Sequence, residues 1–158
     1  MRYFLVDKVT ALVPGERIRG LKCVTLGDEV LHDHFPDFPV MPGALIVEAA
    51  AQLAGCLLEA TFNAPGRPLL RALMVQIRDA RFYETVGPGD TLELEAVLES
   101  RLETAAQASV EARVGDRRVA RTQLTFVMKA IESERVHEQR RYVYGLWTRD
   151  LVPPITIL

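Results

Sequence analysis

The sequence predicts an α+β fold in which an antiparallel sheet packs around one long helix. Residues 42–62 form a long helical segment that is almost entirely apolar, and such a helix is normally buried on most sides. Residues 92–99 alternate apolar and polar side chains, which is typical of a half-buried strand. Turn signals at 14–16, 87–90 and 115–116 separate this strand from other strand-like segments, so several strands are available to cover the helix.

Two paired strands are expected at the start of the chain, over 3–13 and 17–26, joined by the turn at 14–16. Residues 32–43 contain Pro36, Pro39, Pro42 and Gly43 and predict a loop of restricted shape. The helix is expected to begin at Pro42, because proline has no N–H to leave unpaired at the first helical position. It is expected to end near Phe62, before the breaker sequence at 63–66.

The segments after this helix predict a strand over 69–84 that is interrupted near Asp79, and then three strands arranged as a meander. These last strands are expected at 92–98, 108–114 and 117–128. The chain is therefore divided into one domain at 1–128 and an extension at 129–158. Ser133 is expected to cap a short helix that runs to about Leu146. Its apolar side, which predicts docking onto the domain or its partner, consists of Val136, Val143, Leu146 and Trp147.

Composition narrows the functional classes. The chain has 158 residues, enough for one domain with a real core, and its formal net charge is −2. No run of Lys or Arg is present, so neither nucleic acid nor a membrane surface is expected as a partner. Glu48 and Gln52 interrupt the most apolar segment, which falls short of a membrane span. Two cysteines without metal-ligand spacing and an N-terminus without a signal peptide favour a cytoplasmic protein.

One stripe of the central helix is polar. At about 100° per residue, Glu48, Gln52, Gly55 and Glu59 fall on the same narrow face. The stripe could simply face water, since an unpaired buried carboxylate is costly. Against that interpretation, the surrounding residues are small and leave room for a ligand: Ala44, Ala51 and Gly55.

His34 lies in the proline-rich loop just before this helix. A lone loop histidine is commonly an incidental surface residue. The sequence lacks HExxH, GxSxG and glycine-rich phosphate motifs, which argues against zinc, acyl-enzyme and nucleotide chemistry. What remains is an imidazole, the carboxyl group of Glu48 and the free amides at a helix start. That set suits removal of a proton beside a carbonyl.

The segment HFPDFPVMPGALIVEAAAQ closely resembles the signature of the hot-dog-fold 3-hydroxyacyl-(acyl-carrier-protein) dehydratases of fatty acid synthesis. FLVDKV with PGERIRGLKCVT is similar to the family's opening strands, and IRDARFYETVGPGDTLELE is similar to a later segment. The resemblance spans about residues 3–128. It implies a hot-dog fold assembled as a homodimer or a trimer of dimers, with the active site at the subunit interface.

The resemblance places the catalytic histidine at His34 and the catalytic carboxylate at Glu48, which is contributed by the facing subunit. The amide that contacts the thioester carbonyl falls on Gly43. Six further positions are predicted to bind substrate: Val40, Met41, Gln52, Leu45, Phe82 and Val86. Of these, Leu45, Phe82 and Val86 are expected to line an apolar channel for the acyl chain. The implied reaction converts a (3R)-3-hydroxyacyl thioester of acyl carrier protein, or of coenzyme A, into the trans-2-enoyl thioester. It needs no cofactor and no metal.

The sequence departs from the family pattern at several places. Asp33 replaces the usual glycine before the histidine, and Asp37-Phe38 replaces a glycine-basic pair. Residues 99–106 lack the positive charges often found there, and residues 129–158 exceed the usual ending. Two other functions remain open: a hot-dog acyl thioesterase, and a non-catalytic acyl-binding or assembly subunit.

Overall fold

The computed structural model describes residues 3–158 and contains a six-stranded antiparallel sheet with two α-helices. The elements in chain order are β1 Lys8–Val13, β2 Arg17–Cys23, a 3-10 turn at Glu29–Leu31, α1 Gly43–Phe62, β3 Leu70–Phe82, β4 Thr91–Arg101, β5 Ala105–Val114, β6 Arg117–Ala130 and α2 Glu134–Thr148. The strands are ordered β1-β2-β4-β5-β6-β3. The predicted α+β class and the meander of the last three strands are therefore confirmed.

The helix α1 is the centre of the fold. Twelve of its residues are buried, and the sheet contacts it through five of its six strands. By length and composition alone, the helix could cross a membrane. In this fold its apolar side chains are buried in the core of the domain instead. Pro42 stands at the N-cap rather than at the first helical position, so the predicted start of the helix was one residue early.

The strand β3 lies at the edge of the sheet and is unusually apolar for an exposed strand. Its pairing with β6 shifts register between Arg78 and Arg81, and Asp79 between them has φ 53°. The predicted interruption near Asp79 is thus a bulge within one strand. Most of the residues after the start of β3 are exposed, among them Leu73, Met74, Val75, Ile77 and Phe82. A long, unpaired apolar edge of this kind is a template for pairing with another chain.

The predicted strand over 3–13 is confirmed for its second part, which is β1, whereas residues 3–7 lie outside the strand. Residues 3–7 run extended along α1, and the side chain of Gln52 holds them there. The backbone N–H of Leu5 donates to Gln52 Oε1 at 2.9 Å, and Gln52 Nε2 donates to the Tyr3 carbonyl at 2.9 Å. One helical side chain therefore takes the place of a strand partner.

The helix α2 packs on the domain through Val143, Tyr144 and Trp147, which are all buried. Leu146, expected on the apolar side, is exposed instead, because Tyr144 occupies the buried face. Ser133 is the N-cap residue, but its side chain makes no capping hydrogen bond. The boundaries of the extension at 129–158 stay a proposal.

A buried cluster of charged and polar groups joins α2 to the domain. Arg71 Nη1 donates to Glu59 Oε2 at 2.7 Å and to the Leu158 carbonyl at 2.9 Å. Its Nη2 lies 2.9 Å from His137 Nδ1, while His137 Nε2 lies 2.8 Å from the Ile131 carbonyl. Because arginine can only donate and a carbonyl can only accept, His137 carries its proton on Nε2. Glu59 and Arg71 are each only 1% exposed, so the cluster is almost free of bulk water.

The cluster also determines the chemistry of its neighbours. Burial raises the pKa of the Cys56 thiol and of the Tyr144 hydroxyl, and the negative charge of Glu59 raises both further. Cys56 therefore stays a protonated thiol in the core and is unsuited to act as a nucleophile.

Replacement of Arg71 by methionine is expected to destabilise the protein by about 3–5 kcal/mol, because it leaves the Glu59 carboxylate buried without a counter-charge. Urea unfolding at fixed protein concentration measures this loss. The double variant Arg71→Met/Glu59→Gln should recover much of it, since no buried charge then remains. Arg19→Met, which removes an exposed ion pair with Glu95, is the matched control and should cost less than about 1 kcal/mol. Equal effects of Arg71→Met and Arg19→Met would contradict this assignment.

Candidate active site

The loop before α1 holds His34 in one defined orientation. The Val40 N–H donates to the His34 carbonyl at 2.7 Å, and His34 Nδ1 lies 2.8 Å from the Val40 carbonyl. A carbonyl oxygen can only accept, so Nδ1 must carry the proton in this contact. In the neutral imidazole, Nε2 then has the free lone pair, and that nitrogen is the one able to take a proton from a substrate.

A tight turn at residues 35–38 brings the two ends of this loop together. Phe35 and Phe38 exchange backbone N–H to carbonyl hydrogen bonds of 3.0 Å in both directions. Asp37, at the turn position that usually requires glycine, has φ 64°. Asp is one of the few residues tolerated there, so the departure from the family's glycine keeps the turn. The Phe35 ring stacks on the His34 ring at a centroid distance of 4.2 Å.

The far end of the loop is attached to the turn that precedes β4. The Met41 N–H donates to the Val86 carbonyl at 2.8 Å, and Gly87 N–H donates to Asp90 Oδ2 at 2.9 Å. A Cβ on Gly87 would approach the Pro39 carbonyl to 3.3 Å, so the loop and this turn are in close contact. The shape of the loop is thus fixed at both ends before any ligand binds.

The start of α1 offers backbone donors beside this loop. The Pro42 carbonyl accepts from the N–H groups of Leu45 and Ile46, whereas the amides of Gly43 and Ala44 belong to the first turn, which has no intrahelical acceptors. Phe82 packs over Gly43, and a Cβ there would come within 2.9 Å of the Phe82 ring. Glycine at this position lets the Phe82 ring pack directly against the start of the helix.

Glu48 is half-buried on α1, one turn before Gln52. Gln52 Nε2 donates to Glu48 Oε1 at 3.0 Å, in addition to its contact with the Tyr3 carbonyl. Both N–H groups of Gln52 are thereby used, and its oxygen accepts from Leu5. These bonds orient Glu48, and because Gln52 also lines the groove beside Glu48, its predicted contact with substrate stays a prediction.

Glu48 faces a groove of about 600 Å³ between α1, the N-terminal segment and α2. The residues that line it are Tyr3, Phe4, Glu48, Gln52, Gln139, Arg140, Tyr142 and Val143. His34 is not among them, so this groove by itself does not contain both the imidazole and the carboxylate.

The other predicted site residues lie close to the loop and the helix start. Val40 holds His34 through its backbone, and Met41 is buried. Leu45 lines a small cavity of about 90 Å³ together with Met41. Phe82 is half-exposed over Gly43, whereas the Val86 side chain is fully buried in the core. Their contacts with an acyl chain stay predictions.

Sequence reasoning missed two features. Glu59 was placed on a stripe that could face water, but it is in the buried cluster with Arg71 and His137. Arg71 interrupts an apolar segment of β3, and this was the available signal for a buried partner. The position of Arg140 in the groove of Glu48 depends on how the extension docks, and no local pattern indicated it.

An antiparallel sheet wrapped around one central helix, with a histidine loop at the helix start, defines a hot-dog-fold protein. Solved structures agree: a Streptococcus mutans protein, smu.793, bound to acetyl CoA aligns with a TM-score of 0.62 at 16% identity, covering 80% of this chain and 90% of that one. A hypothetical thioesterase with coenzyme A from Streptococcus pneumoniae aligns with a TM-score of 0.62 at 11% identity, covering 80% and 90%. At these identities the likeness establishes the fold alone.

Residues 1–123 match the model of the FabA-like domain, and the chain belongs to that family. A 3-hydroxyacyl-(acyl-carrier-protein) dehydratase FabZ from Lactiplantibacillus plantarum is 38% identical over 129 residues, which cover 82% of this chain and 86% of that protein. A FabZ from Clostridioides difficile is 36% identical over 126 residues, which cover 80% and 87%.

Proposed function

We propose that this protein is a hydro-lyase that dehydrates (3R)-3-hydroxyacyl thioesters of acyl carrier protein to trans-2-enoyl thioesters. Relatives that carry this name cover most of the chain. The observation that carries the mechanism is the contact between His34 Nδ1 and the Val40 carbonyl, which leaves Nε2 as a base. Glu48, oriented by Gln52, supplies the acid.

In the proposed reaction, His34 Nε2 removes a proton from C2 of the acyl chain. The C2–H electron pair forms the C2–C3 double bond, the C3–O bond breaks, and Glu48 donates a proton to the leaving hydroxyl, which departs as water. The Val40 carbonyl stabilises the imidazolium that forms. The Gly43 amide, at the positive end of the helix dipole, stabilises the negative charge that develops on the thioester oxygen.

The working unit of this proposal is a homodimer, with a trimer of dimers as a larger assembly. The groove of Glu48 does not include His34 of the same chain, and this supports a site formed by the base of one protomer and the acid of its mate. The exposed apolar edge of β3 supports such pairing, because an unpaired edge strand is stabilised by a second strand.

We propose that acyl carrier protein carries the acyl group of the substrate, as it does for the relatives named above. The proposed location is the cytoplasm. Coenzyme A could carry the acyl group in the same reaction, and two proteins of this fold have been solved with acetyl CoA or coenzyme A. No cofactor has a part in the proposed reaction, since both proton transfers use side chains.

The test is to give the purified protein a 3-hydroxyacyl thioester and to follow two products, the enoyl thioester by its absorbance and the free thiol by a thiol reagent. We expect enoyl thioester without thiol. Release of thiol without an alkene would identify a thioesterase. If neither product forms from short, medium or long acyl chains, whether they are carried by acyl carrier protein or by coenzyme A, the protein would be a non-catalytic acyl-binding protein. Either result overturns the proposed function.

A further inference from the structure

The groove that contains Glu48 has a wall that the family match does not include. Its helix α2, Glu134–Thr148, lies beyond residue 123, where the FabA-like domain ends. From α2 the groove receives Gln139, Arg140, Tyr142 and Val143. The groove volume of about 600 Å³ lies in the range of small-molecule sites. The extension therefore forms part of the cavity into which the acid projects.

The groove corresponds to one end of the substrate. Gly43, at the start of α1, is proposed to contact the thioester carbonyl and does not line the groove, whereas Glu48, further along the same helix and proposed to contact the C3 hydroxyl, does. Substrate atoms inside the groove are therefore those on the far side of C3. The groove is the acyl end of the site rather than the carrier end.

The chemistry of this wall does not suit a simple alkyl chain. Arg140 is half-buried, and within residues 3–158 no carboxylate lies within ion-pair distance of it. Its recorded contact is with the ring of Tyr144, at 6.0 Å from the centroid. Gln139 and the Tyr142 hydroxyl add further polar groups. A half-buried guanidinium that no carboxylate of the described residues contacts directly is a ready site for an anion, although Glu48 lines the same groove. Carboxylate is the anion that its planar donors fit best on an acyl chain.

We propose that the groove between α1 and α2 is an acyl-end subsite and that Arg140 binds a carboxylate carried by the acyl chain beyond C3. The protein then acts on 3-hydroxy-dicarboxylic acyl thioesters in preference to plain 3-hydroxyalkanoyl thioesters. This inference rests on the proposed function, because that function places C3 at Glu48. The extension at residues 129–158 then determines substrate specificity, and the buried cluster of Glu59, Arg71 and His137 holds it in place.

The experiment compares 3-hydroxyglutaryl, 3-hydroxyadipyl and 3-hydroxypimelyl pantetheine thioesters with 3-hydroxyalkanoyl thioesters of equal chain length. Pantetheine carries no phosphate, so a phosphate group of the carrier cannot be the anion that is measured. At one or more lengths we expect the wild-type protein to prefer the dicarboxylic chain by about tenfold or more in kcat/KM, mostly through KM. Arg140→Gln should abolish that preference, as expected when a charged hydrogen bond is lost.

Arg141→Gln is the matched control, because it removes the same charge from the next residue of α2, where the side chain is paired with Glu134 outside the groove. It should keep the wild-type preference. The proposal is overturned if wild type shows no preference at any length, or if Arg140→Gln and Arg141→Gln change both substrate series equally.

A binding measurement separates this inference from the proposed function. Saturated adipyl pantetheine cannot be dehydrated, so calorimetry reports the subsite alone. We expect it to bind wild type and Arg141→Gln about tenfold or more tightly than Arg140→Gln. If adipyl pantetheine binds as expected but no thioester is dehydrated, the proposed function is contradicted and the anion subsite is supported. If all three proteins bind adipyl pantetheine equally, the anion subsite is contradicted.

Discussion

His34→Ala is expected to lower kcat for dehydration by about 10²–10⁴-fold while the protein remains folded. The reason is the tautomer: the Val40 carbonyl fixes the proton on Nδ1 and leaves Nε2 to accept the C2 proton. Alanine removes that acceptor, and the remaining donors at the start of α1 only polarise the carbonyl. The rate of enoyl thioester formation at saturating substrate measures the loss, and circular dichroism with thermal unfolding shows whether the fold persists.

His32→Ala is the matched control, since His32 is an exposed histidine two residues earlier in the same segment. It should retain nearly the wild-type rate. His34→Gln adds a stricter comparison, because glutamine can keep a hydrogen bond to Val40 but has no basic nitrogen. If the kcat of His34→Gln is close to that of the wild type, His34 is not the catalytic base, and the loop has only a structural role.

Most of the fold was accessible to sequence reasoning because its main signals are local. The apolar segment that becomes α1, interrupted by Glu48 and Gln52, predicts a core helix, and the alternation at residues 92–99 gives β4 its two faces. The interruption at Asp79 and the turn at 115–116 also appear where the residues indicate them. The predicted first strand began too early, because Gln52, far along the sequence, bonds the backbone of Tyr3 and Leu5 in place of a strand partner.

The candidate site was only partly accessible. The loop and the helix start follow from prolines and from Gly43, which are local constraints. The stripe of α1 could not be interpreted, because the groups that pack against Glu48, Gln52 and Glu59 include residues from other segments of the chain. Glu48 pairs with Gln52 and faces a groove completed by α2, whereas Glu59 pairs with Arg71 in the core. A helical pattern gives the face of a side chain but not what packs against that face.

Glu48→Gln is expected to lower dehydration to a similar degree, because an amide cannot deliver a proton to the leaving hydroxyl. The change is nearly isosteric, and the Gln52 N–H that donates to Glu48 Oε1 can donate equally to an amide oxygen. The Michaelis constant should therefore change less than kcat. If Glu48→Gln and the wild type dehydrate at equal rates, Glu48 is not the catalytic acid.

Mixing the two inactive proteins is expected to restore activity, and this result distinguishes a shared site from one within a single chain. If His34→Ala and Glu48→Gln protomers exchange at random, about half of the dimers combine one of each. In such a dimer, one site has lost both groups and the other has an intact His34 facing an intact Glu48. The mixture should then reach about a quarter of the wild-type rate, since one site in four is complete.

The control mixture pairs His34→Ala with the double variant His34→Ala/Glu48→Gln, which cannot form a complete site in any combination and should stay inactive. Native mass spectrometry of differently tagged protomers verifies that exchange took place. If mixed dimers are present but the first mixture is as inactive as its parents, then base and acid act within one chain. The separation of His34 from the groove of Glu48 would then require a rearrangement of the loop, and not a partner, to bring the two groups together.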